Sequence, residues 1–192
     1  MQAKGERVIL YQSILCDARF LELLRGFDAE LAELTRAAGC SCGGVLHLAA
    51  YDRKPRGLGS RGTVRRASFC CAREGCRKRA TPPSLLFLGR RVFFGVVILL
   101  VPALRQAPSR QTLAALETLY GITQRTLLRW RRWWQGTFVS SSVWRAGLGL
   151  FRTPVRAADL PGSLLEAFDR KVEAVLRFLS PLSSRTGPGR AF

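Results

Sequence analysis

Cys40-Ser41-Cys42-Gly43-Gly44 opens a stretch that Cys71-Ala72-Arg73-Glu74-Gly75-Cys76 closes, and these two short knuckles decide how the first half of the chain must fold. A structural zinc ion takes four thiolate or imidazole ligands in a tetrahedron, and two knuckles brought together by a hairpin supply them. The expected ligands of a Zn2+ ion are therefore Cys40, Cys42, Cys71 and Cys76.

The first knuckle has a single residue between its cysteines, tighter than the usual two, and the following Gly43-Gly44 pair is what so sharp a turn requires. The second places four residues between its cysteines, a spacing seen in zinc fingers, with Glu74-Gly75 before the last. That spacing favours Cys71 over its neighbour Cys70 and leaves the choice between them open. His47, the sole histidine, is an alternative ligand, although a lone histidine in a strand is more often a surface or core residue. Cys16, alone in an apolar helical pattern, reads as a small buried hydrophobe.

Arg53, Lys54 and Arg56 follow the first knuckle, then Arg61, Arg65 and Arg66, and Arg77, Lys78 and Arg79 follow the second. Residues 53–79 carry ten basic side chains and only Glu74 as an acid, whereas residues 1–39 carry five basic and six acidic ones. Guanidinium groups pair bidentately with phosphate oxygens and stay charged at any cellular pH. Such a local density of cations favours phosphate contact over a merely solvated loop. The whole chain, 192 residues with a formal charge of +18, calls for a polyanionic partner, and its 47% hydrophobic content provides for folded cores. Nucleic acid is the first partner to consider.

A second device lies downstream. In residues 111–134 Leu113, Leu116 and Leu119 face a core from one helix, Gly121 supplies a positive-φ turn, Ile122 plugs the angle and Thr123 caps the next helix. On that second helix Leu127, Trp130 and Trp134 recur at core spacing. Gln124, Arg125, Arg129 and Arg132 remain on the outer face, as a DNA recognition helix needs, with Gln and Arg for base edges and further Arg for the backbone.

The remaining pattern is mainly α. Apolar residues at Leu10, Ile14, Phe20, Leu23, Leu24, Phe27, Leu31 and Leu34 predict one or two amphipathic helices over residues 7–38, with Asp17 as a cap of the second and Gly39 as its stop. Short strands are expected at 45–48 and 67–70. Thr81-Pro82-Pro83-Ser84 breaks the chain and restarts it as helix. Three helices at roughly 90–105, 110–120 and 124–135, jointed at Pro108 and Gly121, make a trihelical helix-turn-helix plan. Residues 136–162 read as a connecting loop, and Leu164, Leu165, Phe168, Val172, Val175, Leu176 and Leu179 as one final amphipathic helix. The resulting segments are a helical 1–38, a basic zinc ribbon at 39–84, a helix-turn-helix domain at 85–136, a loop and helix at 137–180 and a disordered tail at 181–192. The apolar run Val92-Phe93-Phe94-Gly95-Val96-Val97-Ile98-Leu99-Leu100-Val101 spans only about 15 Å as helix, half a bilayer core, and reads as a buried core helix. Absence of a secretory signal pattern points to a cytoplasmic, reducing location, where paired cysteines are more often metal ligands than disulfides.

Residues 111–134 resemble the helix-turn-helix of bacterial transposases and of resolvase-like or homeodomain-like regulators, in which a Gly-Ile/Val-Thr/Ser turn precedes a helix ending in Arg-Trp. The ribbon is similar to those at the head of several insertion-sequence transposases. Arg53-Lys54-Pro55-Arg56-Gly57, Thr81-Pro82-Pro83-Ser84 and Gly89-Arg90-Arg91-Val92 also resemble segments of mobile-element-associated proteins. The resemblance does not bring the transposase reaction, which needs three converging carboxylates on two metal ions. After residue 135 the acids are Asp159, Glu166, Asp169 and Glu173 alone, without strands to carry them. No nucleophile is paired with a histidine base either, so the chain is not expected to be an enzyme.

The sequence thus describes a double-stranded-DNA-binding accessory protein of a mobile element, or a transcriptional regulator. Gln124, Arg125, Arg129 and Arg132 serve the recognition helix, while Arg53, Lys54, Arg56, Arg77, Lys78 and Arg79 hold phosphates. The rivals are an RNA- or ribosome-binding zinc ribbon, the DNA-binding subunit of a transposase whose catalytic chain is separate, and a homodimerising interaction module built on the terminal helices.

Overall fold

The computed structural model describes residues 14, 17–56, 62–89, 93–103 and 109–184, without the side chain of Leu119. Outside the described residues fall the expected helix before Cys16 with Leu10, the cysteine itself, Arg61, the Arg90-Arg91-Val92 run, Arg105 and Pro108, the core role of Leu119, and the tail from 185 onward. The chain is mainly helical with small antiparallel sheets.

Helix α1, Ala18–Ala38, begins where Asp17 accepts a hydrogen bond from the Arg19 N–H at 2.8 Å and ends at Gly39, whose φ of 70° lies in the region open to glycine. Its inward stripe is narrower than the sequence pattern suggests. Leu24 is buried and Phe20, Phe27 and Leu31 are partly so, whereas Leu23 and Leu34 are exposed.

Five short strands follow: β1 Leu46–Leu48, β2 Tyr51–Arg53, β3 Val64–Arg66, β4 Phe69–Cys71 and β5 Arg79–Ala80. β1, β4 and β5 form one antiparallel sheet and β2 with β3 another. β2, β3 and β5 were not expected; strands of two or three residues show too little alternation to be recognised in the sequence. In β4, Phe69 and Cys71 point inward and Cys70 outward, the period of two that a strand imposes.

The restart of helix after Ser84 does not occur. Leu85, Leu86, Phe87 and Leu88 are buried without helix, Phe87 bridges to Phe94, and the Gly95 N–H binds the Leu86 carbonyl at 2.7 Å. Helix starts at α2, Gly95–Leu100, shorter than the 90–105 expected, and every one of its residues is buried. Gly95 suits this place because a Cβ there would lie 3.2 Å from the Leu85 carbonyl oxygen. The apolar run is thus a core helix, and among the described residues no helix is long and apolar enough to cross a membrane.

α3, Arg110–Tyr120, and α4, Gln124–Arg132, lie where the pattern put them. Ser109 caps α3 through the Thr112 N–H and Thr123 caps α4 through the Thr126 N–H. Gly121 joins the helices at φ 64°, ψ 30°, and Ile122 beneath it is fully buried. α4 runs on as a π-helical stretch, Trp133–Phe138. That widening keeps Trp134 and Phe138 in the core, and the Trp134 indole N–H donates to the Ile98 carbonyl at 3.0 Å.

Beyond it, the loop expected at 136–162 contains α5, Ser142–Gly147, capped by Ser141. The single last helix is two, α6 Gly162–Ala167 and α7 Val172–Leu179, parted where Asp169 and Arg170 take φ of 51° and 61°. The start of the tail expected to be disordered is also ordered: Ser180–Ser183 form a 3-10 turn, and the buried Ser183 hydroxyl donates to the Ser84 carbonyl at 3.3 Å. One large core runs through α1, α2, α4, α6 and α7. Its aromatic seam passes from Trp134 through Phe138 and Trp144 to Phe151.

Asp28 ties α1 to this core. Its carboxylate accepts hydrogen bonds from the Ser84 hydroxyl and from the Leu85 N–H at 2.7 Å, with buried Arg66 close enough to attract it. Burial nevertheless dominates and pushes the carboxyl above its ordinary value of 3.8. The native state therefore takes up this proton before the unfolded chain does, and the group's contribution to stability rises as pH falls through the window just above 3.8. Asp28→Ala is expected to cost about 2 kcal/mol at pH 7 by stranding two donors, measured by urea unfolding, with the gap from wild type widening as the pH is lowered through that window.

Candidate metal centre and basic surfaces

The end of α1 delivers Cys40 directly after the Gly39 stop. The first knuckle closes through the Gly43 N–H to the Cys40 carbonyl at 2.8 Å and the Cys40 N–H to the Gly44 carbonyl at 3.0 Å. The second closes through the Cys76 N–H to the Arg73 carbonyl at 3.1 Å. Gly43 and Gly75 both adopt φ of 79°, so each knuckle has its left-handed glycine. Pairing of β1 with β4, Leu46 opposite Cys71, brings the two together.

The four sulfurs of Cys40, Cys42, Cys71 and Cys76 lie within 4.8 Å of one another. Cys40 and Cys76 Sγ are 3.7 Å apart and Cys42 and Cys71 Sγ 3.5 Å, far beyond a disulfide bond. A tetrahedral ion with bonds of about 2.3 Å to sulfur separates its ligands by about 3.8 Å, so the donor set fits a metal ion in number, chemistry and spacing. The Arg73 N–H points at Cys71 Sγ from 3.4 Å, and the Arg73 guanidinium clasps the Cys42 carbonyl at 2.8 Å, bracing one knuckle against the other. Nothing in the sequence marks Arg73 for this role except its place two residues after a ligand.

Crowding sets the protons of these thiols against each other. Cys42 is brought down to about 6, first by the Gly44 N–H and then by the thiols of Cys76, Cys71 and Cys40. At Cys71 the Arg73 N–H lowers the value, but burial and the same neighbours outweigh it and push the thiol up to about 12. A cation among the four sulfurs removes this conflict.

Cys70 stands outside the cluster. It faces the other side of the sheet between His47 and Arg79, and its thiol approaches the Arg77 carbonyl at 3.5 Å. His47 is exposed on that same side and is not a member of the cysteine group. The choices left open by the sequence therefore fall on Cys71 and against His47.

The basic residues divide. Lys54, Arg56, Arg77, Lys78 and Arg79 are exposed, and Arg77 holds φ at 46° just beyond the second knuckle. Arg53 departs from the expectation of a phosphate ligand: it is half-buried, its guanidinium 4.5 Å from the centre of the Phe87 ring and donating to the Gly89 carbonyl at 3.0 Å. Arg66 departs likewise, being buried with a hydrogen bond to the Pro82 carbonyl. Alternation explains both, because Arg53, Val64 and Arg66 lie on the inner side of the β2–β3 hairpin while Asp52 and Arg65 lie outside.

On α4, Gln124, Arg125, Arg129 and Arg132 are all exposed, opposite the buried Leu127 and Trp130. Leu128, which the sequence reading passed over, is 44% exposed among them. No protein-family model, no curated protein and no solved structure matches the chain.

Three substitutions test the centre. Gly44 is the point of closest approach, where an added Cβ would lie 2.6 Å from Cys71 Sγ and 3.3 Å from Cys42 Sγ. Gly44→Ala is expected to lower metal content sharply in elemental analysis of the purified protein. Cys70→Ser is expected to leave that content at the wild-type level, and Cys71→Ser to abolish stable binding.

Proposed function

We propose that the chain binds double-stranded DNA, holding a zinc ion in its cysteine ribbon and reading bases with a helix-turn-helix made of α2, α3 and α4. Four thiolates at tetrahedral separation suit zinc, whose structural sites are most often of this kind. The observation that carries the DNA reading is α4 itself: a helix launched from a left-handed glycine and a threonine cap, tryptophan on its core side, and only Gln124, Arg125, Leu128, Arg129 and Arg132 on its outer side. Glutamine and arginine at the start of such a helix suit base edges in the major groove. Lys54, Arg56, Arg77, Lys78 and Arg79 suit the phosphates on either side.

The setting we infer is a mobile element, with the chain as an accessory protein or regulator that recognises DNA near its ends.

Selection of duplexes from a random library at about 0.15 M salt, where screening suppresses loose phosphate contacts, tests the proposal. An enriched motif is expected. Arg129→Ala should lower the preference for that motif by at least about tenfold, as the loss of a base contact does, while Arg77→Ala weakens motif and random DNA alike and reduces the salt dependence by about one counterion. Equal losses on both kinds of DNA for both variants would contradict the division of labour. Tighter binding to folded RNA than to any duplex would transfer the reading to an RNA-binding ribbon.

A further inference from the structure

Gln124, Leu128 and Arg132 stand one helical turn apart down the middle of the exposed side of α4, with Arg125 and Arg129 beside them. A leucine there is out of keeping with its surroundings. The neighbouring outer positions are polar or cationic, the apolar side of the helix is already occupied by Leu127 and Trp130 against the core, and Leu128 itself is 44% exposed. Part of its side chain therefore stays in solvent among polar neighbours, while Leu127 and Trp130 are the buried residues of α4.

We propose that Leu128 is a specificity residue that packs on the C5-methyl group of a thymine in the major groove. The proposal rests on the DNA reading given above. In the major groove the thymine methyl is the apolar feature of the base edges, and an apolar side chain is what distinguishes it from the hydrogen-bonding edges around it. Side chains four residues apart on a helix are about 6 Å from each other, which places Leu128 within a base pair or two of whatever Gln124 contacts. The preferred site therefore contains a thymine within a base pair or two of the base read by Gln124, and a glutamine in that position suits adenine. RNA, whose uracil lacks the methyl group and whose deep major groove excludes a helix, is disfavoured by the same residue.

The test uses the full-length protein in its metal-bound form and the duplex site that it selects from a random library. Each thymine of that site is replaced in turn by deoxyuridine, which removes the methyl group and leaves every hydrogen-bonding atom in place. At one thymine the substitution should weaken binding by wild type about fourfold, the worth of one methyl withdrawn from contact. In Leu128→Ser the same substitution should have no effect, and a thermal unfolding curve like that of wild type shows the variant to be folded. Deoxyuridine that is neutral at every position, a loss that persists undiminished in Leu128→Ser, or a selected site without thymine would each overturn the assignment while leaving DNA recognition intact. Failure to enrich any site would instead overturn the DNA reading, and this assignment with it.

Discussion

The ribbon has almost no core of its own. Ala32, Leu46, Phe69 and Cys71 form its small buried apolar cluster, and one of these is a member of the sulfur cluster while another belongs to α1. So small an apolar cluster cannot offset the chain entropy of ordering the ribbon, and domains of this size ordinarily need a metal or a disulfide. The four sulfurs could supply the means: an ion bound among them would join the end of α1 to β4 and to the second knuckle, just ahead of Arg77, Lys78 and Arg79. The rest of the molecule has the opposite economy. Around the wholly buried α2, apolar side chains from α1, α4, α6 and α7 form a core large enough to stand without such help.

The two regions are connected by polar contacts whose placement serves both. Asp28 on α1 holds the backbone at Leu85, Arg66 reaches from β3 to the Pro82 carbonyl, and Arg53 lies on Phe87. Each is a charged group taken partly or wholly out of water, costly unless partnered, and each has its partner on the segment between the ribbon and α2. On the proposed reading this matters for function, because phosphate-binding cations on the ribbon and base-reading side chains on α4 act on one duplex only if they are held at a fixed separation.

Much of this was legible in the sequence where a local signal had one structural solution. Ser109, Gly121 and Thr123 mark the limits of α3 and α4 because a cap and a left-handed turn are local chemistry, and the cysteine spacing singled out the four sulfurs that come together. Legibility failed where one pattern serves two structures. The spacing of Leu164, Leu165, Phe168, Val172, Val175, Leu176 and Leu179 suits one long helix, yet α6 and α7 both face the same core across the turn at Asp169 and Arg170, so the pattern survives the break. Charge misled in a similar way: Arg53 and Arg66 are indistinguishable in the sequence from the exposed arginines near them, and only the pairing of β2 with β3 turns them inward. Leu128 was hidden for the converse reason, since an apolar residue in an amphipathic helix is first assigned to the core.

The central claim is that a metal-held ribbon supplies phosphate contacts to a helix that reads bases independently of it. The dependence of DNA affinity on salt concentration, measured with and without chelation of the metal, tests this most directly. If the claim holds, chelation lowers the slope of log affinity against log salt by about three, roughly 0.9 for each of Arg77, Lys78 and Arg79, while the preferred sequence stays the same. A slope unchanged by loss of the metal, or a sequence preference that disappears with it, would contradict the account.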